Sequence, residues 1–220
     1  MAVSIADIQK IRKMTGAGLA DCKKALTDAE GDFDKAVQII REKGQAIAAK
    51  RSDRETSNGC VLVKADNGFS AMIALKCETD FVANGKDFIA LTQSILDAAV
   101  AAKAKTLDEV KALPLNGSTV QDEVIARSGI TGEKTELDGY LYLEGDNVSV
   151  YDHMNKHLLC TMVQTNKPAE EQAHAVAMQV AALNPKYVST DDVPEEYKEH
   201  EKEILIAQAK NDPKNANKPE

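Results

Sequence analysis

The sequence predicts an α+β protein with an amino-terminal module of three short helices, two related subdomains of antiparallel sheet with helices, and a terminal helix. Three observations predict it. Apolar residues step by three and four through the opening stretch, as on a helix face. Alternating apolar runs joined by Asn-Gly and Gly-Asp turns follow. The order of strands and then an alanine-rich helix occurs over 58–104 and again over 139–183, which places helices on one side of antiparallel sheets.

In the opening module, Ser4 with Asp7 approximates a capping box, and Ile5, Ile8, Ile11 and Met14 form the first stripe. Thr15-Gly16-Ala17-Gly18 breaks it, and Leu19, Cys22, Ala25 and Leu26 form a second stripe. After Gly31-Asp32 come Phe33, Ala36, Val37 and Ile40. A core this thin gives only marginal stability, so residues 1–44 read as a docking module. Arg12, Lys13, Lys23 and Lys24 lie on its polar side near the turn, where they fit either a contact surface or a plain solvated face. Residues 45–57 are small, charged and weakly patterned, and are expected to be a linker.

Strands are expected from Cys60 to Val63 and from Phe69 to Cys77, joined through Asp66-Asn67-Gly68. Phe69, Ala71, Ile73, Leu75 and Cys77 fall on one strand face, which should be buried. From Asp87 the apolar period becomes helical through Phe88, Leu91, Ile95 and Ala99. Between these patterns lies Glu78-Thr79-Asp80-Phe81-Val82. Two readings fit this junction: Thr79 or Asp80 caps the helix with Phe81 packed locally as a staple, or Phe81 projects outward. A short helix at 106–110 and a further one after Asn116-Gly117 complete a first subdomain, 58–131. Strands at 139–144, 148–152 and 158–164, then a helix from Pro168 to Leu183, make a second, 132–190, followed by a helical arm and a polar tail, 191–220.

Composition narrows the function classes. Acidic residues outnumber basic ones 35 to 27, giving a net charge of −8, so a phosphate-neutralising nucleic-acid platform is disfavoured and a protein partner fits better. No apolar run reaches membrane-spanning length, and Met1-Ala2-Val3-Ser4 has no leader pattern, so a cytoplasmic protein without a membrane partner is expected. Cys22, Cys60, Cys77 and Cys160 form no C-x-x-C pair, and neither disulfides nor zinc are expected. Gly85-Lys86 lacks the rest of a phosphate-binding loop, so no nucleotide or other cofactor is expected on this chain, and no enzyme activity. His153 and His157, four apart, have no evident third metal ligand.

The stretch from Ile11 to Leu26, Ile-Arg-Lys-Met-Thr-Gly-Ala-Gly-Leu-Ala-Asp-Cys-Lys-Lys-Ala-Leu, resembles the amino-terminal signature of the elongation factor Ts family. Cys77-Glu78-Thr79-Asp80-Phe81-Val82-Ala83 is similar to that family's second signature, in the right order and at the expected distance. The resemblance implies a guanine-nucleotide exchange factor for elongation factor Tu, bound in its GDP-loaded and nucleotide-free forms, and a ubiquitin-associated-like fold for the first module. It implies that Thr79, Asp80, Phe81 and Val82 dislocate the partner's magnesium ion, and that Arg12, Lys23, Asp80, Phe81 and His153 bind the partner. Around His153 the chain departs from the family: where glycines and an arginine usually follow, Met154-Asn155-Lys156-His157 stands. The final helix resembles one arm of the family's helical hairpin. The second arm and a carboxy-terminal module with a Glu-Gly-Arg motif do not occur in these 220 residues.

Two rival classes stand beside this reading. One is a ubiquitin-associated-type adaptor or chaperone-like binding protein with an inert core. The other is a thiol-dependent enzyme using Cys77, which requires a reactive thiolate.

Overall fold

A computed structural model describes residues 3–212. Met1, Ala2 and the polar tail from Pro213 to Glu220 lie outside the described residues. By their contacts the residues divide into a body that runs to Ala181 and a smaller one from Ala182.

The first body opens with helices α1 (Ile5–Thr15), α2 (Leu19–Asp28) and α3 (Phe33–Lys50). Ser4 and Asp7 form the capping box at α1, Gly16 ends it in the left-handed region, and Asp32 caps α3. Their core is small: Ile11, Cys22, Ala25, Leu26 and Ala36 are buried together, with Phe33, Val37 and Ile40 against them.

Strands β1 (Asn58–Asp66) and β2 (Phe69–Cys77) form the hairpin marked by Asn67-Gly68, both of which take positive φ. The chain then forms α4 (Asp80–Ala83), α5 (Lys86–Ala102), α6 (Leu107–Ala112), the two-residue strands β3 (Pro114–Leu115) and β4 (Ser118–Thr119), and α7 (Val120–Thr131). It continues through β5 (Thr135–Glu144), β6 (Val148–Asp152), β7 (Cys160–Gln164) and α8 (Glu170–Leu183). The main core lies between the sheet and α5, where Phe69, Ile73 and Leu75 of β2 meet Phe88, Ile95 and Leu96. The smaller body carries α9 (Glu195–Asn211), in which Tyr197 packs edge-on against Tyr187.

Two expectations need correction. The linker was expected to begin at residue 45, but α3 runs on to Lys50 and packs along α7. At this crossing Gly44 lies against Ala126 and Gly129, and a count of large apolar side chains does not register a contact between such small residues. The boundary at 131/132 also does not separate two sheets. β5 starts at Thr135, four residues before the expected strand, and pairs antiparallel with β2, giving one sheet in the order β1-β2-β5. A register shift opposite Ala74 and Leu75 leaves the exposed Asp138 without a facing residue on β2, and brings Gly139 close to Ala74. Only β6 and β7 pair with each other in the second stretch.

Candidate functional site

β2 delivers the site. Its inward residues Phe69, Ala71, Ile73, Leu75 and Cys77 are buried, so the strand is fixed by packing along its length. Beyond Cys77 the chain leaves the sheet. Thr79 is extended at φ −123° and ψ 154°, and its hydroxyl accepts the Val82 N–H at 3.4 Å, capping the single turn of α4. The Ala83 N–H donates to the Thr79 carbonyl and the Asn84 N–H to the Asp80 carbonyl, and Gly85 then starts α5.

Of the two readings of Phe81, the outward one is correct: its side chain is 87% exposed. Ala83 is buried and Val82 half-buried. In a helix Ala83 lies about 200° around from Phe81, so burying one turns the other to solvent. A hydrophobic staple needs an apolar residue before the cap, and Glu78 stands there. Asp80 is exposed beside Phe81 and Thr79 supplies the cap, so the Asp80 carboxylate is left outside the helix hydrogen bonding.

The turn rests on polar contacts from three distant segments. Glu78 receives Arg51 Nη1 at 2.8 and 2.9 Å on its two oxygens, and the Lys134 N–H at 2.6 Å. Its carbonyl accepts from Asn58 Nδ2 at 3.0 Å. The Lys134 N–H, with Arg51 beside it, holds the Glu78 carboxyl below its usual range against the opposing effect of burial. The Glu133 carboxylate accepts both the Thr79 N–H, at 3.1 Å, and the Thr79 hydroxyl, at 2.7 Å. Sequence reasoning gave no role to Glu78 and Glu133 and saw Arg51 only as part of a basic linker, because periodicity marks residues that pack and says nothing of carboxylates meeting side chains and backbone across 27 to 56 positions.

The Cys77 thiol donates to the Thr79 carbonyl at 3.2 Å and is pushed up to about 11, chiefly by burial. Burial likewise raises Cys60 to about 11 and Cys160 to about 12. All four thiols are buried, which disfavours the thiolate near neutral pH and weighs against the thiol-enzyme rival.

Arg12 on α1 and Lys23 on α2 are exposed, as are the apolar side chains of Met14 and Leu19 on the same two helices. Among the described residues neither makes a hydrogen bond or ion pair with the turn. His153 lies elsewhere, in a 3-10 turn joining β6 to β7. The Tyr151 hydroxyl is 3.0 Å from His153 Nδ1, and the Tyr151 ring meets His174 edge-on. Met154, Asn155 and His157 all take positive φ, so this loop uses left-handed positions without glycine, which costs about 1 kcal/mol at each. Clamps offset that strain: His157 N–H and Nδ1 engage the Asp152 carboxylate at 3.1 and 2.5 Å, and Val61 N–H donates to the His157 carbonyl at 2.7 Å. His157 is thereby committed to Asp152, and among the described residues no group of three metal-ligating side chains comes together. No helix among them is long and apolar enough to cross a membrane.

Comparison with known proteins bears on the same residues. The sequence profile of the family described as Elongation factor TS matches residues 78–220, beginning at the turn and including His153. Elongation factor Ts of Bacteroides fragilis is 65% identical over 211 residues, covering 96% of this chain and 64% of the relative. That of Parabacteroides distasonis is 61% identical with the same coverage, and that of Porphyromonas gingivalis is 49% identical, covering 96% of this chain and 76% of the relative. The chain thus spans about 64% of the length of the first two. With both signatures in place, an outward phenylalanine on the second, and identity at this level over nearly the whole chain, the chain belongs to the elongation factor Ts family.

Proposed function

We propose that this chain acts in translation elongation as a cytoplasmic guanine-nucleotide exchange factor, binding elongation factor Tu in its GDP-loaded and nucleotide-free forms and promoting GDP release. The observation that carries the reading is Phe81: a large aromatic 87% exposed, on a one-turn helix tied down on its other side. An exposed aromatic on a braced support is what an apolar pocket between partner helices would receive.

An exchange factor must bind the nucleotide-free partner more tightly than the loaded one, and by linkage the nucleotide then weakens the factor by the same ratio. Phe81 and Val82 supply the apolar wedge. Asp80 brings a carboxylate toward the partner's magnesium and phosphate region, where one added negative charge rearranges the groups around the ion. Thr79 caps the turn. Arg12 and Lys23 hold the three-helix module, read as ubiquitin-associated-like, on the partner's nucleotide domain, and His153 makes a separate contact. The net charge of −8 favours a protein partner over nucleic acid.

The test is release of fluorescent GDP from preloaded elongation factor Tu in the presence of this chain. Acceleration is expected. Binding with an unchanged release rate would instead support the adaptor reading.

A further inference from the structure

The four residues of α4 cannot hold their own shape. One helical turn fixes several dihedrals for one or two hydrogen bonds, so an isolated turn is unstable in water, and the cap bond to Val82 is long at 3.4 Å. Phe81 adds nothing, since it packs on nothing. Packing of Ala83 and Val82 on the core turns Phe81 outward, and the capped shape of the turn that carries Asp80 and Phe81 then depends on what fixes Thr79.

Glu133 does this. It follows Gly132, which ends α7 at φ +73°, and its own N–H donates to Thr131 Oγ1 at 3.2 Å, so its backbone is fixed from the α7 side. One oxygen takes the Thr79 hydroxyl at 2.7 Å and the other the Thr79 N–H at 3.1 Å. Holding both groups of one residue closes a ring that fixes the Thr79 side-chain torsion. With the hydroxyl proton committed to Glu133, an oxygen lone pair is turned to the Val82 N–H, and the cap forms. Among the described residues Glu133 is the one side chain from another segment that bonds Thr79, and it has no cationic partner of its own there.

We propose that Glu133 is a positioning residue for nucleotide exchange, holding Thr79 so that Asp80 and Phe81 are presented in one fixed direction. This rests on the exchange-factor reading above. It differs from a direct electrostatic role, in which the Glu133 charge itself would act on the partner.

Substitution separates the two. In Glu133→Gln the carbonyl accepts the Thr79 N–H while the amide donates to the hydroxyl oxygen, which keeps a lone pair for Val82. Positioning survives and the charge is lost. Glu133→Ala loses both contacts. With this chain and GDP-loaded elongation factor Tu, Glu133→Ala should slow stimulated GDP release about tenfold, the loss expected of a charge-assisted hydrogen bond. Glu133→Gln should stay within about threefold of wild type, and Glu133→Ala added to Phe81→Ala should change the rate by less than about twofold. Independently of any partner, Thr79 and Val82 amide hydrogen exchange should quicken in Glu133→Ala and stay near wild type in Glu133→Gln. Wild-type release rates for Glu133→Ala, or a Glu133→Gln protein as slow as Glu133→Ala, would overturn the proposal. If the wild-type chain left GDP release unchanged, the exchange-factor reading would fall, and unaltered amide protection in Glu133→Ala would separately overturn the positioning role.

Discussion

Gly129 of α7 lies so close to Gly44 of α3 that a β-carbon built on Gly129 would stand 2.5 Å from the Gly44 α-carbon. A β-carbon on Gly44 would find its nearest neighbours at 3.6 Å, an ordinary contact. The two glycines of one crossing are therefore not equivalent. Gly129→Ala must push the helices apart and should lower stability by about 1 to 3 kcal/mol. Gly44→Ala has room, and the helix preference for alanine should make it neutral or stabilising by up to about 1 kcal/mol. Urea denaturation of the two variants checks the asymmetry; equal destabilisation would show that the crossing is looser than described.

Phe81→Ala should leave the melting temperature unchanged, because the side chain is 87% exposed and no core is lost. Exchange should fall by about thirtyfold or more, the loss typical of a central aromatic anchor. A folded variant with near-normal GDP release would remove the wedge.

Asp80→Asn separates a capping carboxylate from a functional one. Thr79 provides the cap, so the variant should melt like wild type. If the charge acts on the partner's magnesium region, GDP release should slow, and the defect should shrink once magnesium is chelated. Equal rates for Asp80→Asn and wild type across magnesium concentrations would leave Asp80 without that role.

The Glu78 carboxyl is held below its usual range by the Lys134 N–H and by Arg51, so between the folded and unfolded values the unfolded chain binds more protons. Its stabilisation is complete above the unfolded value, roughly pH 4.3, and is lost as pH falls through the lower folded value. Glu78→Gln should thus cost about 1 to 2 kcal/mol at neutral pH, with Arg51 left unpaired, and the gap to wild type should close in acid. Thermal melts from neutral pH down to about pH 2.5 read this directly; a gap independent of pH would mean that the Glu78 charge contributes nothing.

By itself the sequence determined whatever follows from side chains one strand or one helical turn apart. The alternation from Phe69 to Cys77 marks a buried strand, Asn67-Gly68 a hairpin, Ser4 with Asp7 a capping box, and the change of period after Cys77 a junction with Phe81 off both stripes. Paired with the family signatures, that located the candidate site. Tertiary structure decided what depends on residues far apart in the chain. Whether Phe81 staples or projects was settled by the burial of Ala83, β5 joined β2 across 58 to 75 positions, and α3 ran on to Lys50, into the expected linker, beside a crossing where Gly44 meets Gly129. The hold of Glu133 on Thr79 and of Arg51 and Lys134 on Glu78 was likewise invisible along the chain. A polar contact between distant segments leaves no period in the sequence, because its partners are fixed by where the packed elements bring the backbone.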